Sequence, residues 1–107
     1  NQVIAVLDMG YTLLEDCSFT RDEALRATGQ LVMRNIENVL EAGCDGALTG
    51  PIERNDIETV KKHIACMQND DSDDVRLYKM LGTKLVNIAE KKNPDKDYTQ
   101  MMELLRG

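Results

Sequence analysis

Apolar residues in this chain return every three or four positions from end to end, and nowhere do they alternate with polar ones over a useful length. A recurrence near 3.6 serves one face of an α-helix, whereas a half-buried strand needs a period of two. The pattern argues against sheets, sandwiches and βαβ units. It predicts an all-α chain, a bundle of about five helices with short connections. At 107 residues the expectation is a single helical domain over 1–107, burying roughly 60–70% of its unfolded surface.

The first predicted helix, over 2–16, carries Val3, Ile4, Val6, Leu7, Tyr11, Leu13 and Leu14. Apolar over so much of its circumference, it is expected to be central and touched on several sides. Thr20 and Glu23 form a capping box that starts the second helix. Its face is Leu25, Thr28, Val32, Ile36 and Val39, and Gly43 is placed to end it in a left-handed turn. Asp56 is placed to cap a third helix with Ile57, Val60, Ile64 and Met67 on one face. The acidic run 69–74 lacks the glycine and bidentate glutamate of a calcium loop, and reads as the charge favoured at a helix start. A fourth helix offers Leu77 or Tyr78, Leu81, Leu85 and Ile88. Asn93-Pro94 is read as the start of a fifth, with Tyr98, Met101 and Leu105 inward.

Between the second and third helices lies the densest polar stretch, ALTGPIERND, residues 47–56. Gly50 frees the backbone and Pro51 fixes it, so one defined shape is expected. Rigid loops on helical scaffolds are where binding groups tend to sit. Asp56, Thr59 and His63 follow at spacings of three and four and share one helix stripe. An imidazole there either rests as a surface or structural residue or moves a proton near neutral pH. Arg54 is a forked donor for a carboxylate or phosphate, or a brace to Glu53 or Asp56. The Thr49 hydroxyl either meets ligand or caps the short turn that follows it.

Charge and composition remove whole classes. A net charge of −6, with an isoelectric point near 4.7 and four aromatic residues, argues against nucleic acid as a partner. No apolar run approaches the ~18 residues of a membrane span. Cys17, Cys44 and Cys66 have no CxxC spacing and only one histidine for company, which argues against a metal site. They read as reduced, partly buried thiols of a cytoplasmic protein. Most of the six methionines read as core filler, a subset as a subunit interface. Glycine-rich nucleotide loops, GxSxG and HExxH are all missing from the sequence.

The run ALTGPIERNDIETVKKHI resembles the hallmark of a helical C-terminal domain, domain of unknown function 2520, found in oxidoreductases of unassigned substrate. There it follows a Rossmann-like NAD(P)-binding domain. The family's pattern of Leu-Thr-Gly-Pro-Ile, any residue, Arg-Gly-Asp, then Thr-Val and His falls on Leu48, Thr49, Gly50, Pro51, Ile52, Arg54, Asp56, Thr59, Val60 and His63. The Glu23-Ala24-Leu25 helix start also resembles it, and the likeness runs to about Ala89. Asn55 stands where the family commonly has Gly, a departure that a left-handed asparagine accommodates.

The resemblance implies a fold like the C-terminal domain of 6-phosphogluconate dehydrogenase and of pyrroline-5-carboxylate reductase. There the helical domain shapes the substrate side of the cleft and often makes the dimer. Asn1 would match the Asn of a Ser-Asn pair where the linking helix enters this domain. The implied function is the substrate-binding and dimerising part of an NAD(P)-dependent oxidoreductase, inactive alone. NAD or NADP would be held mainly by a Rossmann domain outside this chain. His63 is then the candidate catalytic residue, with Asn1, Thr49, Gly50, Arg54, Asp56 and Thr59 toward a small-molecule substrate. A chain that opens on Asn1 in mid-pattern fits a C-terminal fragment of a longer protein. The alternative is a helical dimerisation or protein-interaction module without redox chemistry.

Overall fold

The computed structural model describes residues 1–67 and 73–107. Among these there is no strand, and the fold is all-α. The helices are α1 (Gln2–Asp16), α2 (Arg21–Ala47), α3 (Ile57–Cys66), α4 (Asp73–Lys92) and α5 (Thr99–Arg106). Residues 69–72 of the acidic run lie outside the described residues, while Asp73 and Asp74 occupy the first turn of α4, where the helix dipole favours carboxylates.

The chain divides into two units, Asn1–Leu40 and Glu41–Gly107. In the first, α1 ends with Ser18 in the left-handed region at φ 76°. The Phe19 amide reaches the Leu14 carbonyl at 3.1 Å and that of Ser18 reaches Glu15 at 3.0 Å, closing the last turn. The Thr20–Glu23 capping box then forms, with reciprocal bonds of 3.0 and 3.1 Å. Arg21 reaches back over α1. It pairs with Asp8 at 3.3 Å and Glu15 at 3.2 Å, and its guanidinium lies 5.6 Å from the Tyr11 ring centre.

Contrary to the sequence expectation, α1 is not central within its unit. It has no buried residue, and Val3 and Ile4 are 61% and 66% exposed. Ala24 is the one buried residue of this unit. A two-helix unit gives each helix one neighbour, and an apolar surface this broad needs more than one.

The second unit holds the packed core of Ile52, Val60, Val86, Ala89, Tyr98, Met101 and Leu105. Burying each of the larger side chains contributes about 1.5–3 kcal/mol. The α3 and α5 faces are those expected, with Val60, Met101 and Leu105 buried. The α4 face is turned relative to expectation. Val75, Gly82, Val86 and Ala89 are buried, and Leu81 is exposed. Gly82 explains this rotation, because a Cβ there would lie 2.8 Å from a Leu105 methyl. The missing side chain lets α5 sit close on that face.

The α5 start also differs from the reading of Asn93-Pro94. The helix opens at Thr99, whose amide bonds the Asp97 carboxylate at 2.9 Å. Asn93 is drawn away to Glu53 and Tyr98, both at 3.1 Å. Of the methionines Met101 is fully buried while Met33 and Met80 are exposed, so core filling accounts for fewer of them than expected. The three cysteines are free as expected, yet exposed rather than partly buried.

Candidate functional site

The polar stretch takes one rigid shape, and the backbone shows why. Gly43 breaks α2 at φ 74° and ψ 175°, and Gly50 takes φ 103° before Pro51. Residues 51–54 make a single helical turn, with the Arg54 amide on the Gly50 carbonyl at 3.0 Å. Asn55 ends that turn at φ 61°, the left-handed conformation expected of it. The Asp56 amide reaches the Pro51 carbonyl at 2.8 Å and the Asn55 amide reaches Ile52 at 3.0 Å. These are the paired bonds of a helix end that needs glycine or asparagine at this position.

Residues 92–98 clamp the turn from the side. The Tyr98 hydroxyl donates to the Glu53 carbonyl at 2.6 Å, and Lys92 Nζ donates to the Leu48 carbonyl at 2.7 Å. Asn55 Nδ2 donates to the Asp97 carbonyl at 2.8 Å, leaving its buried Oδ1 without a protein partner. The Asn93 amide bond holds the Glu53 carboxyl below its ordinary range, with Lys92, Lys96 and Arg54 acting in the same direction.

Asp56 begins α3 as expected. Its carboxylate accepts from the Thr59 amide at 3.1 Å and from the Thr59 hydroxyl at 2.7 Å. Those two bonds lower its pKa, and Arg54 and Lys62 add to the effect. Asp56 and Thr59 are thus brought together, each engaged by the other. Arg54 is exposed and forms no ion pair within 4 Å among the described residues, so the brace to Glu53 or Asp56 is not made. Thr49 is exposed, and among the described residues its hydroxyl makes no capping bond to the turn that follows. Asn1 belongs to the first unit, where its carbonyl accepts from the Ala5 amide and its side chain caps nothing.

His63 is exposed on α3. Its Nδ1 lies 3.2 Å from the Tyr78 hydroxyl, with the rings 6.2 Å apart at 83°. Tyr78 is a partner that sequence reasoning did not assign, since it entered only as one option for the α4 core face. Burial raises the pKa of its phenol, so it stays protonated. Two cavities of about 630 and 430 Å³ are lined by residues of α4, α5 and their connection, not by Thr49, Arg54 or His63. Among the described residues no three metal-ligating side chains gather, and no helix is long and apolar enough to cross a membrane.

The site is therefore a clamped polar turn feeding a capped helix in an all-α protein, with Arg54 and His63 at the surface. The family model for a domain of unknown function, DUF2520, matches residues 1–85, and the chain belongs to that family. The match includes the turn, His63 and Tyr78, and stops within α4 before Tyr98, Met101 and Leu105. Neither the curated proteins nor the solved structures contain a match to this chain.

Proposed function

We propose that this chain is the substrate-side helical part of an NAD(P)-dependent oxidoreductase, with no catalysis of its own. The observation that carries the reading is how hydrogen bonds are spent around the turn. Glu53, Asn55, Asp56 and Thr59 all hold it in shape, while Arg54 on the turn and His63 on the helix that follows stay exposed. A scaffold that commits four polar side chains to presenting two others is suited to binding a small anionic or carbonyl substrate.

The described residues do not by themselves fit a dinucleotide, because they contain no strand and no glycine-rich strand-to-helix turn for its pyrophosphate. NAD or NADP would be held by a Rossmann-like domain of a longer protein, to which this unit adds a wall. The three free thiols suit a reducing, cytoplasmic setting. Thermal melting of the full-length protein tests the reading: NADP(H) or NAD(H) at saturating concentration is expected to raise the midpoint. No shift with either cofactor would remove the redox reading and leave the interaction module.

Homodimerisation belongs to the same proposal and has its own support. Ten large apolar side chains of residues 1–40, Leu40 at 81% among them, are more than a third exposed. Apolar surface exposed to this extent is what a second copy would cover. Sedimentation is expected to show a dimer that Met33→Glu converts to monomer. A wild-type monomer at tens of micromolar protein would remove it.

A further inference from the structure

We propose that Tyr78 is a positioning residue for His63, its phenol donating to Nδ1 so that the imidazole carries its proton on Nε2 and offers that N–H to a substrate oxygen. The functional half of this statement rests on the oxidoreductase reading. The geometric half stands alone.

The contact, the burial of the phenol and the needs of its hydrogen support this direction of the bond. The Tyr78 hydroxyl and His63 Nδ1 are 3.2 Å apart, and each is the other's hydrogen-bond partner. Tyr78 is half-buried against the core of its unit, so its ring is anchored while that of His63 is exposed. A half-buried hydroxyl hydrogen needs an acceptor, and a neutral imidazole supplies one at its unprotonated nitrogen. The opposite arrangement, Nδ1–H donating to the phenol oxygen, would leave the phenol hydrogen with no acceptor among the described residues. The edge-on meeting of the rings at 83° restrains the imidazole further.

Among the described residues Nε2 then makes no hydrogen bond, and the ring is exposed. A nitrogen whose tautomer is fixed from behind and whose front is open is the arrangement by which histidines are oriented at reactive sites. Here a phenol takes the place more often held by a carboxylate. Because the phenol is neutral, it orients the ring without building an ion pair behind it. The natural ligand class is a carbonyl, hydroxyl or carboxylate oxygen.

The chain has one histidine, so its ring nitrogens give one unambiguous set of signals. Long-range proton–nitrogen correlation spectra of the 107-residue chain, recorded with the imidazole neutral, are expected to show the Nε2–H tautomer alone. Tyr78→Phe keeps the ring and removes the hydroxyl, and is expected to raise the Nδ1–H population several-fold. Wild-type protein with its proton on Nδ1, or a tautomer ratio unchanged in Tyr78→Phe, overturns the proposal. If Tyr78→Phe disturbs the fold, cross-relaxation between the two rings in the wild type decides, and its absence overturns the contact. A tautomer shift in Tyr78→Phe together with no thermal shift of the full-length protein by NADP(H) or NAD(H) would keep this geometry and remove the oxidoreductase reading.

Discussion

The Tyr98 hydroxyl sits 2.6 Å from the main-chain carbonyl of Glu53, forty-five residues away in sequence. That bond ties the start of α5 to the polar turn, and the buried ring of Tyr98 fills the core beneath it. Through this pair the last helix, which lies beyond the family match, holds in place a turn that lies within it.

Removing the hydroxyl tests this dependence. Tyr98→Phe leaves the Glu53 carbonyl and the Asn93 amide short of a partner, and is expected to cost about 1–3 kcal/mol in urea unfolding. Since Arg54 is adjacent to Glu53 in the same turn, the variant is also expected to broaden the Arg54 amide signal. An unchanged urea midpoint would show that the turn keeps its shape without the clamp.

Asn55 offers a paired test of backbone against side chain. Asn55→Gly gives up the bond to Asp97 but relieves the left-handed conformation and the unpartnered Oδ1, so stability is expected to stay within about 0.5 kcal/mol. Asn55→Ala loses the same bond while keeping the unfavourable φ, and is expected to cost about 1–2 kcal/mol. Equal effects of the two variants would contradict the assigned conformation.

At the close approach of α4 and α5, Gly82→Val places methyl groups against Leu105 and Ile52. Overpacking at such a buried site is expected to lower stability by about 1–3 kcal/mol. Thermal unfolding read by circular dichroism measures it, and a melting point equal to wild type would contradict the packing.

Acid sensitivity follows from the carboxylates that hold the turn and the helix starts. Glu53, Asp56, Asp97 and Glu23 all have pKa values lowered in the folded protein, each first by a hydrogen bond. A lowered folded pKa gives stability that is fully present above the unfolded value, near pH 4 or slightly higher, and lost as pH falls through the folded value. The urea midpoint is therefore expected to stay level from about pH 7 to about pH 5 and to fall steadily below about pH 4. Glu53→Gln is expected to flatten part of that fall. A midpoint that rises on acidification would contradict the assignment.

Features set by short-range chemistry were legible in the sequence. The Thr20–Glu23 box, the Asp56 cap, the left-handed Asn55 and the inward α5 face depend on residues within a few positions of one another. What escaped depends on distant partners. The rotation of α4 is decided by Leu105 meeting Gly82, and Asn93 leaves its expected place at the helix start for Glu53. Tyr78 reaches His63 from another helix, so no spacing rule links them. The α1 surface misled for a different reason: apolarity records how much surface needs cover, not whether this chain provides it.

The central claim is that Arg54 on the clamped turn and His63 on the helix after it meet a ligand held jointly with a nucleotide-binding domain. Isothermal titration of the full-length protein with NADP(H) and NAD(H), comparing wild type with Arg54→Ala and His63→Ala, tests it most directly. The predicted result is binding of at least one cofactor form with roughly tenfold or greater weakening in Arg54→Ala, about 1.4 kcal/mol, and a smaller loss in His63→Ala. Full affinity in both variants, with the fold intact, would contradict it.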